Sequence, residues 1–401
     1  MARRECVVNE SSTDYQAPIS EKPRPFFQYD GKTGELYKIF LINLLLSIVT
    51  LGIYRFWAIS RMRRYLWSRC RFQETRFTYA GTGGELFLGF LKVLGLLILL
   101  IAATGAAAYG LAKLSPSLVP VPIIAAYIFV VLLAVGAPYA AQRYRLSRTE
   151  WNGIRGGMTG SLFIYAFYAL LYGVLTILTL YQLAPWAAVR LTEYRINNSQ
   201  FGTEKLSFYG RAGRLYLAFL ATFLIMVVLF FSIALLTWYV LAVTFGADPW
   251  VFSDNGRSLV TLFKALPHFE PEIAKNVQTI IALVGVGALF IYLILATLIS
   301  CWYIALFIRH VIGNTTYASF RFFSTVTGLK LLGQLTGNFL ITLLTLGLGL
   351  PFVIQRNMRF LERHTLVIGN PLPAEWLHQN TQSLPSTGEG LLNVFDGGSG
   401  F

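Results

Sequence analysis

Residues 86–112 read LFLGFLKVLGLLILLIAATGAAAYGLA, and this stretch decides the class of the fold. Its one charge is Lys92. That residue lies near the start of the run, where a long amine can reach back to water while its stem stays apolar. About 20 apolar residues cross the hydrocarbon of a bilayer as a helix, and 18 or more without charges already suggest a span. Three further runs exceed that length, 118–141, 215–246 and 277–308, and none holds an Asp, Glu, Lys or Arg. Working outward, three shorter runs, 36–56, 161–189 and 329–354, are also apolar but contain breaks.

The expected fold is therefore all-α: a polytopic helical membrane protein with four certain and up to seven transmembrane helices. Composition agrees. The chain of 401 residues is 55% hydrophobic and 13% charged, against roughly 25% charged in soluble domains. The net charge of +14 fits cations flanking spans better than a nucleic-acid surface, since no nucleic-acid module is recognisable. Cys6, Cys70 and Cys301 are dispersed and form no metal spacing. The first 35 residues are polar and contain prolines, so they do not read as a cleavable signal peptide.

A short unit recurs. Tyr29-Asp30-Gly31-Lys32-Thr33-Gly34-Glu35-Leu36-Tyr37 matches Tyr79-Ala80-Gly81-Thr82-Gly83-Gly84-Glu85-Leu86-Phe87. The same Gly–Gly–aromatic spacing reads as Gly157, Gly160, Phe163 and as Gly210, Gly213, Tyr216, with a degenerate copy at Ser324, Thr327, Lys330. After each apolar run comes an aromatic anchor above a basic stripe at helical steps of four: Trp57 with Arg61, Tyr139 with Arg143, Trp186 with Arg190, Trp302 without an Arg, and Phe352 with Arg356. The units are 29–78, 79–156, 157–207, 208–321 and 322–369, between tails at 1–28 and 370–401. The tails read as disordered, with Leu391 to Phe395 able to dock.

Orientation poses a parity question. Residues 55–85, 142–160 and 190–214 are basic and belong in the cytoplasm by the positive-inside rule. Residues 113–122 and 247–276 read as external. If the three short runs cross, there are seven spans, 190–214 lies outside, and residues 29–156 and 157–321 are inverted repeats as in many transporters. If they re-enter, there are four. Length favours true spans.

Phe27-x-Tyr29-x-Gly31, the run Thr50 to Ala58, Arg64-Tyr65, Phe77-x-Tyr79-x-Gly81-Thr82-Gly83 and the tail from Gly388 to Phe401 resemble the YjgN-like family of bacterial inner-membrane proteins. The resemblance implies a multi-pass protein of the bacterial cytoplasmic membrane. It carries no activity and no catalytic residues. It also implies a membrane-associated zinc metallopeptidase as a possible partner.

Nothing else points to chemistry. Gly31-Lys32-Thr33 is no phosphate loop, because Phe26 stands where that motif needs glycine. His268, His310, His364 and His378 have no metal spacing, and no cofactor motif occurs. The expectation is a non-catalytic membrane scaffold or lipid-interacting module. The alternative is a transporter or channel for an uncharged or lipid-like substrate. Arg61, Arg143, Arg190 and Arg356, with Trp57, Trp186 and Trp302, are the candidate surface for anionic headgroups or a partner. Asn43, Thr50, Thr179, Asn338 and Thr345 are candidates for a polar path or a helix break. Ala102, Ala106 and Gly110 form a small-residue face that suits close helix contact, within the chain or in a homo-oligomer.

Overall fold

The computed structural model describes residues 22–245 and 271–369. Residues 1–21, most of the external link 247–276 and the tail 370–401 with its Leu391–Phe395 segment lie outside the described residues, whereas residues 22–28 of the expected N-terminal tail are described and contribute strands to the sheet. Strand β1 (Arg24–Pro25) is followed by five passes of strand, helix, helix, strand. The first runs β2 (Gln28–Tyr29), α1 (Thr33–Val49), α2 (Arg55–Ser68) and β3 (Cys70–Phe72). The second runs β4 (Thr75–Tyr79), α3 (Gly83–Leu114), α4 (Pro120–Ser147) and β5 (Thr149–Trp151). The third runs β6 (Ile154–Met158), α5 (Leu162–Leu178), α6 (Ala184–Asn197) and β7 (Ser199–Phe201). The fourth runs β8 (Glu204–Phe208), α7 (Gly213–Thr244), α8 (Pro271–Gly313) and β9 (Thr315–Tyr317). The fifth runs β10 (Phe320–Ser324), α9 (Gly328–Leu344), α10 (Leu350–His364) and β11 (Thr365–Ile368). The sequence boundaries at 79, 157, 208 and 322 fall inside β4, β6, β8 and β10.

The strands overturn the all-α expectation. Eleven strands form one antiparallel sheet in the order β1-β11-β10-β9-β8-β7-β6-β5-β4-β3-β2. Its two edges, β1 and β2, are halves of one stretch, residues 24–29. Arg24 pairs with Val367 and Gln28 with Arg71, so the N-terminal strand bridges the first and last units. The sheet is thus a nearly closed barrel with few unpaired edge groups, which limits edge-to-edge pairing with other chains. Tight turns such as Asn152-Gly153, both at positive φ, join neighbouring units at the rim away from the helices.

The barrel is filled. Phe72, Trp151, Ile154, Phe320 and Val367 form one buried cluster, with Phe26, Phe77, Phe201, Tyr317 and Phe322 packed on it. The Phe72 ring lies 5.1 Å from Trp151 and 5.6 Å from Phe320, although these residues sit on β3, β5 and β10. Trp151 Nε1–H donates to the Phe72 carbonyl at 3.0 Å, and the Tyr317 hydroxyl to the Phe201 carbonyl at 3.0 Å. The indole and phenol hydrogens are thereby satisfied inside an apolar interior.

All the helices leave and rejoin the barrel at one rim. The paired helices of each unit pack together, and the second helix of each unit packs on the first of the next, with α10 against α1. Among the described residues four helices are long and apolar enough to cross a membrane: Gly83–Leu114, Pro116–Ser147, Gly213–Thr244 and Lys275–Gly313. The three short apolar helices, α1, α5 and α9, fall short of the four spanning candidates. Each has 17 residues, about 25 Å at 1.5 Å per residue. Each turns back through a break and returns as a polar helix to the sheet it left. Both ends of every unit join one sheet, so each unit crosses an even number of times. The expectation of seven spans and inverted repeats is therefore corrected: length alone favoured crossing, but α2 would have to carry Arg61, Arg63 and Arg64 back through hydrocarbon.

Backbone bonds fix the correspondence between units. The N–H of Asp30, Ala80, Thr159, Tyr209 and Thr325 donates to the carbonyl of Arg69, Arg148, Asn198, Asn314 and His364, respectively, at 2.8–3.1 Å. Gly160, not Gly157, therefore corresponds to Gly31, Gly81 and Gly210, and Val326 takes that place in the fifth unit. Gly157 lies within β6. Counting back from the same acceptors, Arg61, Arg190 and Arg356 are equivalent to Ala140 and Leu306. Arg143 instead aligns with Arg64, Arg309 and Arg359.

Candidate functional site

Ion pairs gather both where the helices meet the barrel and on the barrel wall. Two equivalent ion pairs close the first two helical hairpins at their base: Arg69–Glu35 at 2.6 Å and Arg148–Glu85 at 2.9 Å. Tyr144 adds its hydroxyl to Glu85 at 2.7 Å. At the equivalent place Tyr65 and Tyr194 each bond both the N–H and the carbonyl of a helix-entry residue, Lys32 and Ser161. The shared Gly-Glu-Leu at 34–36 and 84–86 was the sequence signal for these clamps: its Leu residues, Leu36 and Leu86, are buried, while its Glu residues find the arginines. On the barrel wall, Arg76 holds Asp30 with two bonds of 3.1 and 2.5 Å. The guanidinium keeps that carboxyl below its ordinary range. Burial pushes the Cys70 thiol up to about 12, with Glu362 and Asp30 adding to the effect.

The residues singled out from the sequence are not gathered into one site. Arg61 lies 5.7 Å over the Tyr54 ring and reaches the Asn43 side-chain oxygen at 3.5 Å. Arg190 pairs with Glu193 at 2.8 Å beside Trp186, whose ring meets Tyr172 at 4.8 Å. Arg356 donates to the Gly333 carbonyl at 2.5 Å. Arg143 is half-buried on α4.

The tryptophans also hold neighbouring units together. A Cβ on Gly83 would stand 2.6 Å from Trp57, and one on Gly328 3.1 Å from Trp302. At the junction of the second and third units the sizes are reversed: Gly136 faces Leu162, 3.1 Å from where its Cβ would be. Ala102, Ala106 and Gly110 are exposed.

Thr50, Thr179 and Thr345 sit at the turns of the three short hairpins. Each hydroxyl donates to the carbonyl four residues back, Leu46, Leu175 or Ile341, at 2.6–2.8 Å. Each accepts from the N–H four residues on, Tyr54, Leu183 or Gly349, at 2.8–3.3 Å. Every break passes through two residues at positive φ: Leu51-Gly52, Leu180-Tyr181 and Leu346-Gly347. The threonine thus bridges backbone groups freed where the helix stops, which is what a break in an apolar setting requires. Asn43 donates to the Ala58 carbonyl at 3.4 Å, and Asn338 to the Asn357 side chain at 2.7 Å. The tips themselves are bare: Leu51 is 94% exposed, Leu180 78% and Leu346 91%. Leucines so exposed, beside helices that cross a bilayer, are suited to hydrocarbon rather than water. Among the described residues no cluster of three His, Cys, Asp or Glu side chains could hold a metal ion.

Comparison with known proteins supplies a kinship without an activity. A family described as bacterial protein of unknown function (DUF898) matches residues 24–394. The inner membrane protein YjgN of Salmonella typhimurium is 31% identical over 156 residues, 38% of this chain and 36% of that protein. Its namesake in Escherichia coli O157:H7 is 32% identical over 136 residues, 33% and 31% of the two chains. The chain thus spans about a third of the length of these curated relatives. No solved structure matches it.

Proposed function

We propose, from the premise that this chain belongs to the DUF898 family of bacterial proteins of unknown function, that it is a non-catalytic scaffold of the inner membrane. A filled barrel is held against the cytoplasmic face by two spanning helical hairpins, and three short hairpins dip their apolar tips into the adjoining leaflet. The observation that carries this reading is the single sheet to which every unit returns. That geometry puts residues 55–85, 142–160 and 190–214 together on one side, where their cations satisfy the positive-inside rule. The turn between α3 and α4, at the opposite end, has Lys113 as its one nearby charge. The protein is an integral inner-membrane protein, and its role is to present a rigid, closed surface at the membrane.

One feature weighs against the transport reading: the units all point the same way, unlike inverted repeats. One feature favours binding of a lipid-like molecule from the bilayer. A groove of about 580 Å³ between the third hairpin's tip and α7 and α8 is lined by Leu180, Phe219, Phe223, Phe230 and Tyr303.

The test uses single cysteines at Leu51, Leu180 and Leu346 carrying an environment-sensitive fluorophore in proteoliposomes. The expected result is blue-shifted emission, quenched by acyl-chain spin labels and shielded from aqueous iodide. Efficient iodide quenching at all three tips would overturn the scaffold reading.

A further inference from the structure

On the exposed side of α10 the sequence puts Phe352, Arg356, Arg359 and Arg363 at successive turns of one helix face. Together with Gln334 of α9 and His364 they line a pocket of about 340 Å³. That volume is at the small end of ligand clefts, enough for a polar headgroup rather than a whole amphiphile. No carboxylate lines it among the described residues. Glu362, on the same helix, is not among the residues that line it. Arg356 is anchored to the Gly333 carbonyl, whereas Arg359 and Arg363 have no acidic partner among the described residues. Three guanidiniums within two helical turns repel one another and are relieved by an anion that accepts from all three.

The equivalent positions in the other units cannot do this. They hold Arg61, Arg64 and Ser68 in the first, Ala140, Arg143 and Ser147 in the second, and Leu306, Arg309 and Gly313 in the fourth. In the third, Arg190 is neutralised by Glu193 and followed by Asn197. In the first, Arg64 is directed to the Gly81 carbonyl. Three cations on this face occur only in the fifth unit.

We infer that the α10 pocket is a site for the phosphodiester headgroup of an anionic phospholipid. The phosphate sits among Arg356, Arg359 and Arg363, and the acyl chains run along Phe352 toward the tip. The lipid, rather than a free anion, follows from the pocket's setting. Phe352 at its mouth is 47% exposed, and the chain leading to it passes through Leu346, the bare tip placed above in the leaflet. An amphiphile matches that gradient from apolar tip to basic floor. The inference rests on the scaffold reading for the side on which the barrel lies.

The probe is native mass spectrometry of the full chain in detergent, titrated separately with phosphatidylglycerol, phosphatidylcholine and inorganic phosphate. The unaltered protein is expected to retain one phosphatidylglycerol tightly and to favour it over phosphatidylcholine. Arg359→Gln/Arg363→Gln is expected to weaken that binding by roughly tenfold or more, as loss of charge-assisted bonds predicts. Lys205→Gln/Arg321→Gln removes the same charge from exposed positions on the barrel strands and is expected to leave binding unchanged. Equal weakening in both double variants overturns the pocket in favour of general electrostatics. Tight retention of inorganic phosphate without lipid preference overturns the lipid assignment. Both outcomes leave the fluorescence test of the tips untouched, so failure of the pocket is separable from failure of the scaffold reading.

Discussion

Trp151 gives the strongest handle on the filled barrel. Its side chain is 6% exposed, its ring lies 5.1 Å from Phe72 and 6.3 Å from Phe201, and its indole N–H bonds the Phe72 carbonyl at 3.0 Å. Truncation of a buried Trp or Phe to Ala costs about 3 to 5 kcal/mol in transfer and cavity terms. An orphaned carbonyl in an apolar interior adds about 1 to 3 kcal/mol, part of which is already inside that range. Trp151→Ala is therefore expected to cost about 5 kcal/mol, a large share of the roughly 5 to 15 kcal/mol that stabilises a typical domain. Trp151→Phe keeps most of the packing and loses the hydrogen bond and some volume, for about 1 to 2 kcal/mol. Thr78→Ala, on the outward face of β4, is the control. Pulse proteolysis of the detergent-purified protein across a denaturant series measures all three, because cleavage reports the unfolded fraction. If Trp151→Ala falls within about 1 kcal/mol of the Thr78→Ala control, the residue lines an open lumen and the plug is wrong.

Two other perturbations follow from the contacts. A Cβ on Gly83 would stand 2.6 Å from Trp57, whereas Gly84 has nothing within 4 Å. Gly83→Ala is therefore expected to destabilise by about 1 to 3 kcal/mol, and Gly84→Ala to be neutral or stabilising by up to about 1 kcal/mol, read as midpoint shifts in the same assay. Asp30 has a folded pKa lowered from 3.8 by Arg76. Its contribution is present above 3.8 and is lost as the pH falls through the lowered value. Asp30→Asn should accordingly be less stable than the unaltered protein at pH 7 and approach it at the acid extreme, measured as the difference in unfolding midpoint against pH.

The parts legible in the sequence were those with long signals. Four apolar runs announce the spanning helices, because hydrocarbon imposes length. The strands escaped because they are two to five residues long, too short for an alternation to stand out. They also lie in links whose arginines suggested headgroup contact. The cue that was present was Asn152-Gly153 between Thr149–Trp151 and Ile154–Met158, a hairpin signal in retrospect. Register failed in the third unit because Gly157, a strand residue packed on Gln200, imitates the turn glycine three residues later. Arg143 was misaligned for a similar reason. Tyr139-Ala140 resembles Trp57-Ala58, and the uninterrupted α4 offers no break from which to count. The parity of the short runs was not legible at all, because it depends on pairing between β1 and β11 at opposite ends of the chain.

Because every unit returns to one barrel, all its hairpin turns face the same side of the membrane. The direct measurement is labelling of a single cysteine at Thr203, in the turn between β7 and β8, in a background where Cys6, Cys70 and Cys301 are replaced. Thr203 lies within the segment that seven spans would put outside. With a single barrel, an impermeant maleimide is expected to reach it only after the membrane is opened, as it does a cysteine at Glu74 in the turn between β3 and β4. Labelling of Thr203→Cys in intact cells while Glu74→Cys stays protected would contradict it.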